Sequence, residues 1–204
     1  MSQVAEAILR MDAALARLGI RYAIGGGLAL QHYAEPRFTN DVDLNLSAPF
    51  SSAPAVVEAL AAAGYRPTDP PESWLPIAGV RMARDGDDVV VDLFFSFDQY
   101  HDRLMERAVT WPLVHDGAIT TVPFLSAADL VVVKLSFNRG RDWVDVDAMI
   151  DAGTPLDVEY IEQQLVAWRG PTMYPRVAHL RQMLKAAERR TGGGPGGAPG
   201  GAIS

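Results

Sequence analysis

The chain contains no cysteine. That excludes disulfides, thiolate nucleophiles and Cys-ligated zinc, and a cytoplasmic setting is the expectation. No apolar run approaches the ~18 residues that span a bilayer. Residues 1–10 lack a basic segment leading to a small-residue cleavage site, so neither membrane anchor nor signal peptide is expected. Lysine is nearly absent: Lys134 and Lys185 are the two among 18 basic residues. The four histidines, His32, His101, His115 and His179, show no metal-ligand spacing and read as structural or surface groups. There is no Gly-x-Ser-x-Gly elbow and no Walker lysine motif, which leaves hydrolase and P-loop chemistry without support.

What is present is a chain of 204 residues, 49% hydrophobic, with a formal net charge of −7 and a pI near 5.0. This size and composition suit one globular domain with a small helical appendage. Acidic residues concentrate at Asp41, Asp43, Asp85, Asp87, Asp88 and Asp92. Toward the C-terminus the balance reverses: Arg169, Arg176, Arg181, Lys185, Arg189 and Arg190 are opposed within that stretch by Glu188 alone. Such a stripe on a helix is either a solvated face or a track for a phosphate backbone.

Apolar residues at Val4, Ile8, Met11, Leu15 and Leu18 predict a first helix from Gln3, ended by Gly19. A short strand from Arg21 to Ile24 follows, then Gly25-Gly26-Gly27 and a helix from Leu28 to about Ala34, stopped by Pro36. Asp41 to Leu46 reads as a strand, Ala53 to Ala63 as a helix, and Tyr65 to Thr68 as a short strand. Asp85-Gly86-Asp87 and Asp116-Gly117 mark two hairpins, with strands Ile77 to Ala83 and Val89 to Phe95, then Thr110 to Val114 and Ala118 to Val122. A helix from Gln99 to Arg107 separates them. Ser126, three residues before Asp129, caps a helix to about Asn138. Helices from Asp142 to Asp151, Leu156 to Trp168 and Pro175 to Arg190 complete the pattern, ahead of a Gly/Pro tail expected to be disordered. The expected fold is α+β: a mixed sheet flanked by helices over residues 1–124, a C-terminal helical bundle over 125–190, and the tail over 191–204.

The chemistry concentrates at Asp41-Val42-Asp43. Carboxylates one residue apart on a strand share a face, while Val42, Leu44 and Leu46 point into the core. Crowded carboxylates repel, and Mg²⁺, an oxygen-seeking ion that binds one or two carboxylates plus substrate phosphates, relieves the repulsion. The glycine run leads an apolar strand into a helix, the form of a phosphate cradle. Asp92 interrupts the apolar strand Val89 to Phe95, and a lone acid there is costly unless paired or metal-bound. Two metals stabilise both oxygens of a phosphoryl displacement, and a third carboxylate serves them. Lys134 lies among Val131, Val132, Val133 and Leu135, unusual for a charged residue. Arg37 is placed either to neutralise a phosphate or to brace the Asp loop.

Taken together, Ala23-Ile24-Gly25-Gly26-Gly27-Leu28-Ala29-Leu30 and Arg37-Phe38-Thr39-Asn40-Asp41-Val42-Asp43-Leu44 resemble the signature of the DNA polymerase β-type nucleotidyltransferase superfamily. The Arg-Phe-Thr-x-Asp-Val-Asp-Leu form is closest to its AbiEii/MenT-like branch, the toxins of two-gene toxin–antitoxin systems. Asp129-Leu130, Lys134-Leu135 and Arg139, Arg141-Asp142-x-x-Asp145-Val146 are similar to that branch's later motifs.

The resemblance implies a nucleotidyltransferase-like fold and transfer of NMP from an NTP to a hydroxyl, most of all a tRNA 3′ end, blocking translation. It implies two Mg²⁺ ions held by Asp41, Asp43 and Asp92, and a triphosphate cradled by Gly25, Gly26 and Gly27 with Arg37. Lys134 would offset triphosphate charge. Asp145 would be a catalytic or orienting acid, chosen over Asp147 because residues two apart on a helix diverge by roughly 200°. Many members carry Ser at the second glycine position; here Gly26 leaves phosphate binding to backbone N–H groups. The basic stretch from Arg169 to Arg190 is the expected tRNA contact, and a cognate antitoxin the expected partner. Transfer to a protein or an aminoglycoside, and a catalytically silent nucleotide-binding module, are the alternatives.

Overall fold

The computed structural model describes residues 3–74, 79–96 and 99–192. The Gly/Pro tail from residue 193 and the first two residues of the strand expected from Ile77 lie outside the described residues.

Helix α1 (Gln3–Arg17) buries Ile8, Met11 and Leu15, the stripe its spacing implies. After it come β1 (Tyr22–Ile24), the short helix α2 (Gly26–Leu30), β2 (Asp41–Pro49) and α3 (Ala53–Ala61). Next are β3 (Tyr65–Pro67), β4 (Gly79–Arg84), β5 (Val90–Ser96) and α4 (Gln99–Arg107), then the hairpin of β6 (Val109–His115) and β7 (Ala118–Phe124). All seven strands precede the last four helices, α5 (Ala127–Phe137), α6 (Gly140–Asp151), α7 (Val158–Arg169) and α8 (Tyr174–Gly192). At the β6–β7 turn both Asp116 (φ 49°) and Gly117 (φ 78°) are left-handed, as a two-residue hairpin turn requires.

The strands form one mixed sheet in the order β3-β4-β5-β2-β1-β7-β6. Central β2 pairs antiparallel with β1 and parallel with β5, so Asp43 stands directly opposite Asp92. Val42, Leu44 and Leu46 are fully buried on the other face, and α1 and α4 pack against β2. This is the expected α+β layering.

Several elements differ from expectation for local reasons. Helix α2 starts within the glycine run and lasts five residues. Beyond it the Tyr33 and Ala34 amides both bond the Leu30 carbonyl, and Glu35-Pro36 cannot continue a helix. Strand β2 continues to Pro49, through an irregularity in its pairing with β5. Helix α6 starts at Gly140, because the Asp142 carboxylate accepts the Arg139 amide and so sits at the third helical position. The basic C-terminal stretch is not one helix: α7 ends at Arg169, Gly170 turns the chain at φ 82°, and α8 begins at Tyr174.

Asp129 ties the helical half together. It is wholly buried and accepts bonds from Ser126 Oγ (2.5 Å), Tyr160 Oη (2.6 Å) and Arg107 Nε (3.2 Å), linking the α5 N-terminus to α7 and α4. A buried carboxylate with this many donors is satisfied in place.

Candidate active site

The period-two pleat sorts the site. Asp41, Asp43 and Asn45 of β2 alternate with the buried Val42 and Leu44, and Asp92 and Phe94 of β5 alternate with the buried Val91, Leu93 and Phe95. In register, Asp43 faces Asp92 and Asn45 faces Phe94 across β2–β5, while Arg81 faces Asp92 across β4–β5. These residues floor a cleft of about 350 Å³. Its opposite wall is α5 (Leu130, Val133, Lys134, Phe137) with Arg139, Arg141 and Asp142 at the start of α6; Asp69, Ser73 and Trp74 close one end.

Asp43 is a partly buried carboxyl between Asp41 and Asp92. Burial, reinforced by the charges of Asp92 and Asp41, pushes its pKa up to about 6 against the pull of Lys134 and Arg139. It also lies on Gly26, which is left-handed at φ 58°: a Cβ there would stand 1.7 Å from Asp43 Oδ2. Glycine at 26 is thus required twice, by its conformation and by the closeness of Asp43. Of the three glycines, Gly26 lines the cleft, whereas Gly25 and Gly27 do not. Gly25 packs against Asn45 and Leu125 and donates its amide to Asp43 O at 2.8 Å; Gly27 packs against Thr39. The run therefore seats the Asp strand, and α2, at five residues, is too short to act as an extended dipole.

Asp92 meets the condition set for an acid in an apolar strand, in this conformation by pairing. Arg81 Nε and Nη2 donate to its two oxygens at 2.8 and 2.7 Å. No donor bonds the side chains of Asp41 or Asp43 among the described residues.

On the facing wall, buried Lys134 donates to Asp145 Oδ2 at 2.5 Å. Arg37 grips the same carboxylate with two bonds of 3.0 Å. Burial disfavours the Asp145 anion, but these two cations hold its pKa below the ordinary carboxylate value. Asp147 points away to Arg190, 4.0 Å distant. Arg37 is thus turned to Asp145 of α6, and neither Arg37 nor Asp145 lines the cleft. An acid clamped between two cations is a poor proton acceptor; Asp145 orients Lys134, which does reach the cleft.

Arg139 is held by Asp142 through bonds of 2.9 and 3.1 Å. Arg141 lines the cleft, is exposed, and forms no ion pair among the described residues. Sequence reasoning put neither arginine at the site as a cleft residue, and it missed Arg81, Asn45, Phe94, Phe137 and Trp74. Phe94 had a signal: it lies two residues past Asp92 and so shares its face. Arg81 had none, because it joins Asp92 only through the β4–β5 register.

Hard carboxylate oxygens from Asp41, Asp43 and Asp92 suit Mg²⁺, which would also offset the mutual repulsion of these neighbouring carboxylates. Among the described residues no three acids or histidines are grouped ready to hold an ion. Asp92 is paired with Arg81, whereas the Asp41 and Asp43 carboxylates accept no side-chain or backbone donor among the described residues.

The C-terminal basic stretch is largely spent internally. Arg176 bonds the Leu135 and Ser136 carbonyls, Arg181 pairs with Glu162 and Glu159, and Arg190 with Asp151. Arg169 lies over the Trp168 ring at 4.1 Å.

With this geometry in view, the relatives follow. The chain belongs to the family described as "Nucleotidyl transferase AbiEii toxin, Type IV TA system", which it matches over residues 7–191. It is accordingly a nucleotidyltransferase. No curated protein matches. Among solved structures it is similar to the antibiotic-resistance factor ANT(2'')-Ia in solution, at TM-score 0.54 and 16% identity over 87% of this chain and 96% of that one. An antigenic nucleotidyltransferase-like protein from Paracoccidioides brasiliensis gives TM-score 0.49 and 19% identity over 91% and 94%. The lincosamide antibiotic adenylyltransferase LnuA, lincomycin-bound, gives 0.45 and 13% over 73% and 96%. At such identities the likeness to ANT(2'')-Ia speaks for the fold. Among the described residues no helix is long and apolar enough to cross a membrane.

Proposed function

We propose that this nucleotidyltransferase uses Mg²⁺ to transfer a nucleoside monophosphate from an NTP to the 3′-terminal hydroxyl of tRNA. As the toxin of a cytoplasmic toxin–antitoxin pair with a cognate antitoxin, it would so block translation. The observation that carries the reading is the convergence of Asp41, Asp43 and Asp92 on one sheet face, across a cleft from Lys134.

The acceptor oxygen bonds to the α-phosphorus, the bond from that phosphorus to the β-phosphate oxygen breaks, and pyrophosphate leaves. Bound Mg²⁺ supplies Lewis acidity at the phosphoryl oxygens. Asp41 and Asp43 would hold it, with Asp92 once released. Lys134, fixed by Asp145 and through it by Arg37, presents its ammonium to the leaving phosphates, and the acceptor proton passes to a carboxylate of the Asp41/Asp43/Asp92 set. Gly26 brings the backbone close to the phosphates.

Arg141 supports an RNA acceptor, standing free at the cleft with Arg139 beside it. The internal pairing of Arg176, Arg181 and Arg190 favours the second reading, a small aminoglycoside or a protein hydroxyl as acceptor, since it leaves less of α8 to meet a phosphate backbone. Offering intact tRNA beside tRNA whose terminal diol has been oxidised and reduced tests the first reading. Transfer to the intact form alone supports it; transfer to neither, with transfer to protein or aminoglycoside, replaces it by the second.

A further inference from the structure

Phe94, Phe137 and Trp74 line the same cleft as Asp41, Asp43, Lys134 and Arg139, so charged and aromatic groups share one cavity. Phe94 follows Asp92 by two residues on the same face of β5, and Phe137 follows Lys134 by three on α5. On each wall a charged group is thus succeeded, in the same direction along the chain and toward the same cavity, by an aromatic ring. The two rings approach to 5.9 Å between centroids at 59°, so they are tilted against each other instead of stacked closed. Phe137 remains 40% exposed, a large apolar surface at the lip of a polar site. Arg139 places its guanidinium 4.9 Å from the Phe137 ring centre. Trp74 lines the same cleft, its indole N–H held by the Asp69 carbonyl at 2.9 Å.

A cavity that joins charged side chains to aromatic rings matches a ligand that carries both phosphates and a flat π-system. We infer that Phe94 and Phe137 form a stacking subsite for a nucleobase, placed so that a phosphate of the same nucleotide reaches Lys134 and the carboxylates. The inference rests on the nucleotidyl-transfer reading of this cleft and adds the group that recognises the base. Stacking uses the face of a base, which every base has, so the subsite accepts several nucleotides. The base belongs either to the donor NTP or to the last nucleotide of the acceptor.

The test compares wild type, Phe137→Leu, Phe94→Leu and Phe137→Tyr in equilibrium binding of ATP, CTP, inorganic tripolyphosphate and the RNA trinucleotide CCA, with Mg²⁺ present. The leucine variants should lose roughly tenfold in affinity for a base-bearing probe while binding tripolyphosphate as wild type does. Phe137→Tyr, which keeps the ring, should restore the loss. A loss confined to ATP and CTP assigns the subsite to the donor base; one confined to CCA assigns it to the acceptor. Unchanged binding of every probe overturns the subsite, as does an equal loss for tripolyphosphate, which would mean that the rings only shape the phosphate end. Wild type binding tripolyphosphate as tightly as ATP and CTP, with CCA indifferent to the leucines, removes the subsite and leaves nucleotidyl transfer standing. No binding of any probe removes both.

Discussion

Gly26 and Asp43 claim the same space: a Cβ on residue 26 would fall 1.7 Å from the Asp43 Oδ2. A side chain at 26 must displace the Asp43 carboxylate, and the φ of 58° adds roughly 1–2 kcal/mol of strain for a residue with a side chain. Gly26→Ala should therefore push Asp43 from its position and lower transfer by on the order of 100-fold, with the fold retained by circular dichroism. Near-wild-type activity in Gly26→Ala would show that the contact does not hold the carboxylate.

Asp43 also makes stability depend on pH. Its folded-state pKa of about 6 lies above the ordinary carboxylate value, so between roughly pH 4 and 6 the folded protein binds more protons than the unfolded chain. In EDTA, stability should rise as pH falls from 7 toward 5, by about 1.3 kcal/mol from this group, and Mg²⁺ should weaken the dependence. Asp43→Asn should be more stable than wild type at pH 7 and lack this component. Thermal melts across that range decide the matter; parallel profiles for wild type and variant would dismiss it.

Arg81 competes for Asp92. Both Asp92 oxygens accept its guanidinium, so Arg81→Ala should leave the carboxylate free and strengthen Mn²⁺ or Mg²⁺ binding about fivefold. The fold should lose no more than ~1 kcal/mol, because Arg81 is half exposed. Weaker metal binding in this variant, measured by calorimetry, would mean that Arg81 positions Asp92 for the ion.

Lys134 and Asp145 are both buried, and Arg37 keeps its two bonds to Asp145 when Lys134 is removed. Lys134→Met should cost about 1–3 kcal/mol in urea denaturation. Asp145→Asn should cost less than Asp145→Leu, since the amide oxygen still accepts from Lys134 or Arg37. A Lys134→Met cost below about 1 kcal/mol would place the pair in solvent.

Arg141 and Arg181 should separate in RNA binding. Arg141→Ala should reduce the salt slope of tRNA affinity by about one unit, whereas Arg181→Ala, already paired with Glu162, should leave it unchanged. The reverse pattern would move the RNA to α8.

Legibility in the sequence followed locality. Asp41 and Asp43 declare their shared face through a period of two, and Asp92 stands out as an acid within an apolar strand. Lys134 stands out similarly among valines, and helical spacing of 3.6 residues per turn sets Asp145 and Asp147 on different faces, Asp145 against Lys134 and Asp147 toward Arg190. The Gly25-Gly26-Gly27 run is visible as a turn, but not that Asp43 fills the space over Gly26, because that contact joins α2 to β2 in three dimensions. Arg81 and Asp92 meet by register, Arg37 and Asp145 across 108 positions. The internal partners of the basic C-terminal stretch are illegible for the same reason: Glu162, Asp151 and the α5 carbonyls that bond its arginines lie on other helices.

Incubation of the protein with Mg²⁺, total tRNA and each α-³²P-labelled nucleoside triphosphate in turn, beside Asp41→Ala, tests the central claim most directly. Label entering tRNA with wild type and absent with Asp41→Ala is the expected result. Label equally strong with Asp41→Ala, or none in tRNA, protein or an offered aminoglycoside, would contradict nucleotidyl transfer by these carboxylates.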